Sequence, residues 1–359
     1  MKHKETSMNE LEKQLHYPLG EALPAYGECI TVAPGVKWVR MGLPFALNHI
    51  NLWLLRDCLD GLQGWSIVDT CIHSEEAQAQ WEALFANALE GLPVLRVIAT
   101  HMHPDHIGLA HWLCKRWNAP FFISATDFMV ATIACSGIDT FSGERTVQFY
   151  ASHGLNDAET ARRLLERKPY FTTLVPSVPR SYHRLLDGAK LQIGPHGWTL
   201  ISGYGHAPEH MALYCRELGV LIGGDMMLPR ISTNVSVYEQ EPDADALTLF
   251  LNSIDRFLAL PPDTLVLPSH GKPFTGLHIR IQQLHDHHRE RLAEVMQACS
   301  EKPCSAADML RVLFKRPLDF HQTTFALGEA VAHLHALMFA GKLQRRMDAD
   351  GVYRFTTSE

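Results

Sequence analysis

The 359-residue chain has no run approaching the ~18 consecutive apolar residues of a membrane-spanning helix. Its opening stretch, Met1-Lys2-His3-Lys4-Glu5-Thr6-Ser7, also lacks the apolar segment of a secretory leader, so a cytoplasmic protein with no membrane partner is expected. No Cys-x-x-Cys pair occurs: the eight cysteines, at positions 29, 58, 71, 114, 135, 215, 299 and 304, are scattered, several in apolar surroundings. Reduced, mostly buried thiols are the expected state, with Cys71 a small packing residue. Basic charge is in short supply, 32 Lys and Arg against 39 Asp and Glu, which argues against a dedicated nucleic-acid binder. There is no nucleotide-binding loop, flavin motif, hydrolytic triad or fixed-period repeat. What remains is an ordinary globular composition, 46% hydrophobic and 20% charged, long enough for one large α/β core and an appendage.

The informative segment is Thr100-His101-Met102-His103-Pro104-Asp105-His106. It follows Val94-Leu95-Arg96-Val97-Ile98-Ala99, which reads as a buried strand. Alternation along the extended exit sends His101 and His103 to one side, and Pro104 turns the chain so that Asp105 and His106 face a second point nearby. Three imidazoles and a carboxylate around one loop form a transition-metal site, suited to two ions about 3.5–4 Å apart. A solvated histidine-rich turn is the plainer alternative, but four such groups rarely coincide by chance.

Three later segments repeat the design. Gly205-His206-Ala207-Pro208-Glu209-His210 follows the strand-like run Trp198-Thr199-Leu200-Ile201; Leu218-Gly219-Val220-Leu221-Ile222-Gly223-Gly224 ends in Asp225; Leu265-Val266-Leu267-Pro268-Ser269 ends in His270. Each candidate ligand sits where a strand stops. A sandwich of sheets whose strand ends converge on one edge would collect them all. Gly223 and Gly224 fit a close backbone approach around Asp225.

With Asp69 in Ile67-Val68-Asp69-Thr70, these motifs resemble the metallo-β-lactamase superfamily over roughly residues 30 to 275. The resemblance implies an α/β fold, an αββα sandwich of two mixed sheets flanked by helices. It also implies His101, His103 and His206 on one divalent metal, Asp105, His106 and His270 on the other, and Asp225 as the bridge. Zinc is the first expectation for the pair, with iron and manganese as alternatives. Asp105, Asp69 and His210 are the further catalytic candidates: Asp69 as a hydrogen-bond acceptor ordering the histidine loop, His210 as a proton donor, an orienter of His206 or a satisfied core residue. An acid at position 225 is similar to the glyoxalase II, lactonase and ribonuclease Z branches. The implied chemistry is hydrolysis by a metal-bridging hydroxide, first of a small ester-like carbonyl compound, a thioester or lactone. Lys272 and Arg180 or Arg184 are candidates to meet an anionic tail, although no basic glutathione-binding cluster is matched. A phosphodiesterase or endoribonuclease, and a binding or sensory protein on the same scaffold, are the alternatives.

Three regions are expected: an N-terminal extension over residues 1–28, a catalytic region over 29–276 with a helical insertion at about 126–187, and a C-terminal region over 277–359. Ser74 is placed to cap a helix through Trp81 and Leu84. The insertion carries Phe128, Met129, Phe141, Phe149, Tyr150, Tyr170 and Phe171, read as helix-stitching core, as a lid or pocket wall, or as a homodimer face. The tail reads as an amphipathic helix from Leu277 through Val295, with His285, His287 and His288 mostly solvent-facing, then two further helices and a ribbon turning at Asp350-Gly351. That order is winged-helix-like. The would-be recognition helix, Phe325 to Phe339, contains no Lys or Arg, so packing against the core or a second subunit is expected over nucleic-acid contact; the Arg345-Arg346 pair is the one opposing feature.

Overall fold

The computed structural model describes residues 9–136, 138, 143–166 and 170–358. Met1 to Ser7, Phe141 and the Tyr170 side chain lie outside the described residues. The first sheet takes its strands in chain order: β1 (Ile30–Ala33), β2 (Val36–Gly42), β3 (His49–Leu59), β4 (Leu62–Val68), β5 (Val94–Ile98), β6 (Phe121–Ile123) and β7 (His183–Arg184). Pairing is antiparallel up to β4 and parallel from β4 to β7. The second sheet contains β8 (Lys190–Ile193), β9 (His196–Gly203), β10 (His210–Cys215), β11 (Val220–Gly224) and β12 (Leu265–Pro268), in the order β12-β11-β10-β9-β8. Only its β11–β12 pair is parallel.

Period-two alternation explains how both faces of each sheet are buried. Trp53, Val68 and Ile98 point inward and meet Trp198, Leu213 and Ile222 of the second sheet. Their neighbours Leu52, Leu54, Ile67 and Val97 point outward onto Trp81, Leu84 and Leu113 of the flanking helices Glu75–Asn87 and Ala110–Trp117. The second sheet does the same, turning Leu221 and Val266 toward Phe250, Leu284 and Leu334. The architecture is therefore the expected αββα sandwich. Ser74 caps the Glu75–Asn87 helix by accepting from the Ala77 N–H at 3.1 Å.

The insertion forms helices Ala125–Cys135, Gly143–Ser152, Ala158–Glu166 and Tyr170–Leu174. Phe128, Phe149, Tyr150 and Phe171 are buried within the chain, so these aromatics do not supply a dimer face; Met129 is exposed.

The tail consists of helices Leu277–Glu301, Ala306–Leu313 and Phe320–Phe339, and the ribbon β13 (Leu343–Met347) and β14 (Tyr353–Thr357). The last helix starts five residues before Phe325 because Asp319 and Gln322 form a reciprocal cap there. It is buried from Ala326 through Leu337 apart from Glu329, and Gly328 accepts from the Val237 N–H at 3.1 Å. A core helix has no use for Lys or Arg, which accounts for their absence. One reading of the tail is corrected: His288 is buried, its Nδ1 3.3 Å from His333 Nε2. It lies four residues after Leu284 on the stripe that packs against the Phe320–Phe339 helix, not on the solvent face. His285 does face outward, paired with Asp255 at 2.6 Å.

Candidate metal centre

Parallel pairing puts the C-terminal ends of β4, β5, β11 and β12 on one rim, and the antiparallel β10 brings its N-terminal end to the same rim. Met211 N–H donates to Thr100 O at 2.7 Å, joining the two sheets there. Asp69, the histidine loop, His206, His210, Asp225 and His270 consequently converge.

Two groups of donors form. His101, His103, His206 and Asp225 make one, and Asp105, His106 and His270 the other. His101 Nε2 lies 2.9 Å from His103 Nδ1, which lies 3.1 Å from His206 Nε2. Asp225 spans both groups. Its Oδ2 is 3.2 Å from His206 Nε2, while its Oδ1 is 3.6 Å from His106 Nε2 and 3.4 Å from His270 Nε2. Asp105 Oδ2 completes the second group at 3.4 Å from His270 Nε2 and 3.7 Å from His106 Nε2.

Each donor imidazole but one is held from behind. Asp69, itself in a left-handed conformation (φ 63°), accepts from the Thr100 N–H at 2.7 Å and faces His106 Nδ1 at 2.8 Å. His206 Nδ1 donates to Asn234 O and His270 Nδ1 to His49 O, both at 2.7 Å, and Thr100 Oγ1 lies 3.0 Å from His101 Nδ1. These contacts fix the tautomer that leaves Nε2 as a donor. His103 is the exception, turning Nδ1 inward.

His210 does not join either group. It is fully buried; Asp225 N–H donates to its Nε2 at 3.3 Å, and its ring centroid is 5.0 Å from that of His101. Gly224 (φ 53°) leaves the space this ring occupies, since a Cβ there would overlap His210 Nε2. Cys71 is buried and packs beneath the site, 4.0 Å from Gly42 O. Lys272 is paired with Glu21 at 2.7 Å, and Arg180 and Arg184 are exposed. None of these three cations lines the cavity over the cluster.

Several positioning residues carry little local sequence signal. His49 supplies a carbonyl to His270 and its ring nitrogen to the Gly271 N–H at 2.8 Å. Asn51, on the same strand, donates to Pro268 O at 2.8 Å and Gly271 O at 2.9 Å and accepts from Trp38 Nε1 at 2.9 Å, stapling the His270 loop to the first sheet. Asp127 accepts from the N–H groups of Met102 and Glu209 at 2.8 and 2.6 Å, tying two ligand loops together. A polar residue at every second position at the head of β3 is the one hint that was readable.

The electrostatics match a cation site. Burial holds His101 well below the ordinary histidine range and His103 down at about 3, so both are neutral donors. Burial also opposes the charge on His106 and His270, yet the carboxylates of Asp69, Asp105 and Asp225 outweigh it for His106, and those of Asp225 and Asp105 hold His270 up at about 10. His106 Nε2 and Asp225 Oδ1 are buried without a hydrogen-bond partner. Orphaned donor atoms within a concentrated nitrogen and oxygen set fit divalent cations, which would replace protons as the compensating charge.

The family profile described as Metallo-beta-lactamase superfamily matches residues 47–270, more than half of the chain. The chain belongs to the metallo-beta-lactamase superfamily. A second profile, the C-terminal domain of metallo-beta-lactamase-like proteins, matches residues 292–358. A beta-lactamase domain protein from Burkholderia ambifaria is 50% identical, with a TM-score of 0.93 over 98% of this chain and 100% of that one. A metallo-beta-lactamase family protein from Thermus thermophilus is 26% identical, TM-score 0.74, covering 91% of this chain and all of that one. The probable metallo-hydrolase YqjP of Bacillus subtilis is 26% identical over 88% of this chain and 96% of its own length. This superfamily member is a metallo-hydrolase. No helix of the described residues is long and apolar enough to cross a membrane.

Proposed function

We propose that the protein hydrolyses a small ester-like carbonyl substrate, a thioester or lactone, with two divalent cations, zinc first. One would be held by His101, His103 and His206, the other by Asp105, His106 and His270, with Asp225 shared. The observation that carries this reading is the split of Asp225, one oxygen facing each group at 3.2 and 3.4 Å. When bound, the two cations supply an acidified water, its pKa brought toward ~7, and an electrophilic pull on the scissile oxygen.

The remaining work belongs to the chain. Asp69 keeps the His106 ring turned with Nε2 toward the cluster, and His210 holds the Asp225 backbone from below. His103, His206, Asp225, Asp105 and His270 all line one cavity, so a carbonyl entering it reaches both groups. We further propose the division into an extension over 1–28, a catalytic region over 29–276 and a tail from 277, where the long Leu277–Glu301 helix begins.

The endoribonuclease alternative draws little support. The Phe320–Phe339 helix is buried from Ala326 through Leu337 apart from Glu329, and the ribbon arginines are paired, Arg345 with Asp243 at 2.7 Å and Arg346 with Asp348 at 3.3 Å. A binding or sensory role is disfavoured by the complete donor set. The test is turnover by the metal-loaded chain on a panel of thioester, lactone, β-lactam, phosphodiester and sulfate-ester substrates. Thioester or lactone hydrolysis is expected. Turnover of a phosphodiester alone, with steep salt dependence, would overturn the reading.

A further inference from the structure

The cavity over the cluster has a volume of about 550 Å³, within the range that takes a small organic ligand whole. Separate stretches of chain contribute to its apolar walls. Phe45 comes from the loop between β2 and β3; Val130 and Phe171 come from the insertion; Phe325 comes from the tail. Phe45 is 43% exposed, which places apolar surface at the solvent side of the cavity. Among the described residues no Lys or Arg lines it. Beyond the cluster's own carboxylates, the acids lining it are Glu239 and Glu241.

That distribution decides the sign of what can enter. Outside the cluster and the cations it would hold, a phosphate or carboxylate buried here would find His321 as the one described basic side chain and would meet Glu239 and Glu241, at a real electrostatic cost. An alkyl chain would exchange water for Val130, Phe171 and Phe325 at a gain for each methylene. Phe325 is held in the wall by the cap at Asp319 and by backbone contact at Ser236, whose Oγ reaches Phe325 O at 3.4 Å.

We propose that this cavity takes an uncharged, apolar acyl chain, and that the tail sets the accepted chain length through Phe325, making the C-terminal region part of the substrate site. The acyl assignment rests on the ester-like substrate reading above; the cavity's preference for an uncharged alkyl chain does not, and is measured separately. The experiment is calorimetric titration of the metal-loaded full chain with linear primary amides from butanamide to decanamide. Affinity should rise by up to about fourfold per methylene until the cavity fills. Placing a carboxylate on the far end of the chain should weaken binding by about tenfold or more. Phe325→Ala, which opens the wall, should move the point at which the cavity fills to a longer chain, weaken by about tenfold the amides that contact the ring, and leave butanamide little changed. Val130→Trp, which fills space instead of opening it, should cut off the series at a shorter chain.

A series flat in chain length, or tighter binding of the carboxylated amides, would overturn the proposal. So would an unchanged series in both variants, each shown folded by circular dichroism. A normal length series with no ester, thioester or lactone turned over would leave the cavity assignment standing and remove the ester-like substrate reading alone.

Discussion

Replacing Asp69 by Asn tests how the second donor group is held. The carboxylate accepts on every side: the Thr100 N–H at 2.7 Å, the Thr100 hydroxyl at 2.9 Å, and His106 Nδ1 at 2.8 Å. An amide has one carbonyl oxygen and one NH2, so one of these contacts must face a donor. If the NH2 takes the side next to His106, the imidazole flips tautomer, puts its proton on Nε2 and stops being a ligand. If it takes the side next to Thr100, a buried backbone N–H loses its acceptor at about 1–3 kcal/mol. Losing such a support behind a ligand costs about 10–100-fold in metal affinity, or about 1.4–2.7 kcal/mol. The larger loss should fall on the His106 group, which Asp69 faces directly, because the His101 ring meets Asp69 only through the Thr100 hydroxyl. Chelator competition followed by metal analysis by mass spectrometry reads the two steps separately. A biphasic curve with the weaker step displaced further is expected; equal loss from both steps, or none, would refute the argument.

Asp225→Ala removes the one group that reaches both donor sets, so bound metal and turnover should both vanish, while His285→Ala, altering a surface pair with Asp255, should leave metal content unchanged in the same analysis. Asn51→Ala leaves Trp38 Nε1 buried without an acceptor and releases the His270 loop; urea denaturation should show a loss of about 3 kcal/mol, and a loss under about 1 would contradict the staple. Burial pushes the Asp127 carboxyl from its ordinary 3.8 up to about 6. The folded chain therefore holds that proton more tightly than the unfolded one, and this contribution is full below about 4 and lost as pH rises through about 6. Stability of the natural chain relative to Asp127→Asn should fall over that window; a rise would show the sign to be wrong.

Much of the centre was legible because its donors sit in short polar motifs directly after apolar strands, and the sandwich turns that sequence pattern into one rim. Asp69, His101, His103, Asp105, His106, His206, Asp225 and His270 all arrive there. His210 was harder to place: the strand it opens, Met211-Ala212-Leu213-Tyr214-Cys215, has few strand-favouring residues, and burial on both faces, not propensity, makes it a strand. Its ring lies under Asp225 and is not among the residues lining the cavity. His49, Asn51 and Asp127 act through partners up to 222 residues away in sequence, a relation no local pattern encodes. The tail shows the same limit. Its helices and ribbon were readable, and the absence of Lys and Arg from Phe325 to Phe339 correctly pointed to packing, yet only the folded chain reveals that Phe325 reaches the cavity.

The most direct measurement is the metal content of the purified full chain after equilibration with zinc and removal of loose ions. The account predicts two tightly held divalent cations per chain, falling to none in Asp225→Ala. A chain that takes up no cation, or a variant that keeps both, would contradict it.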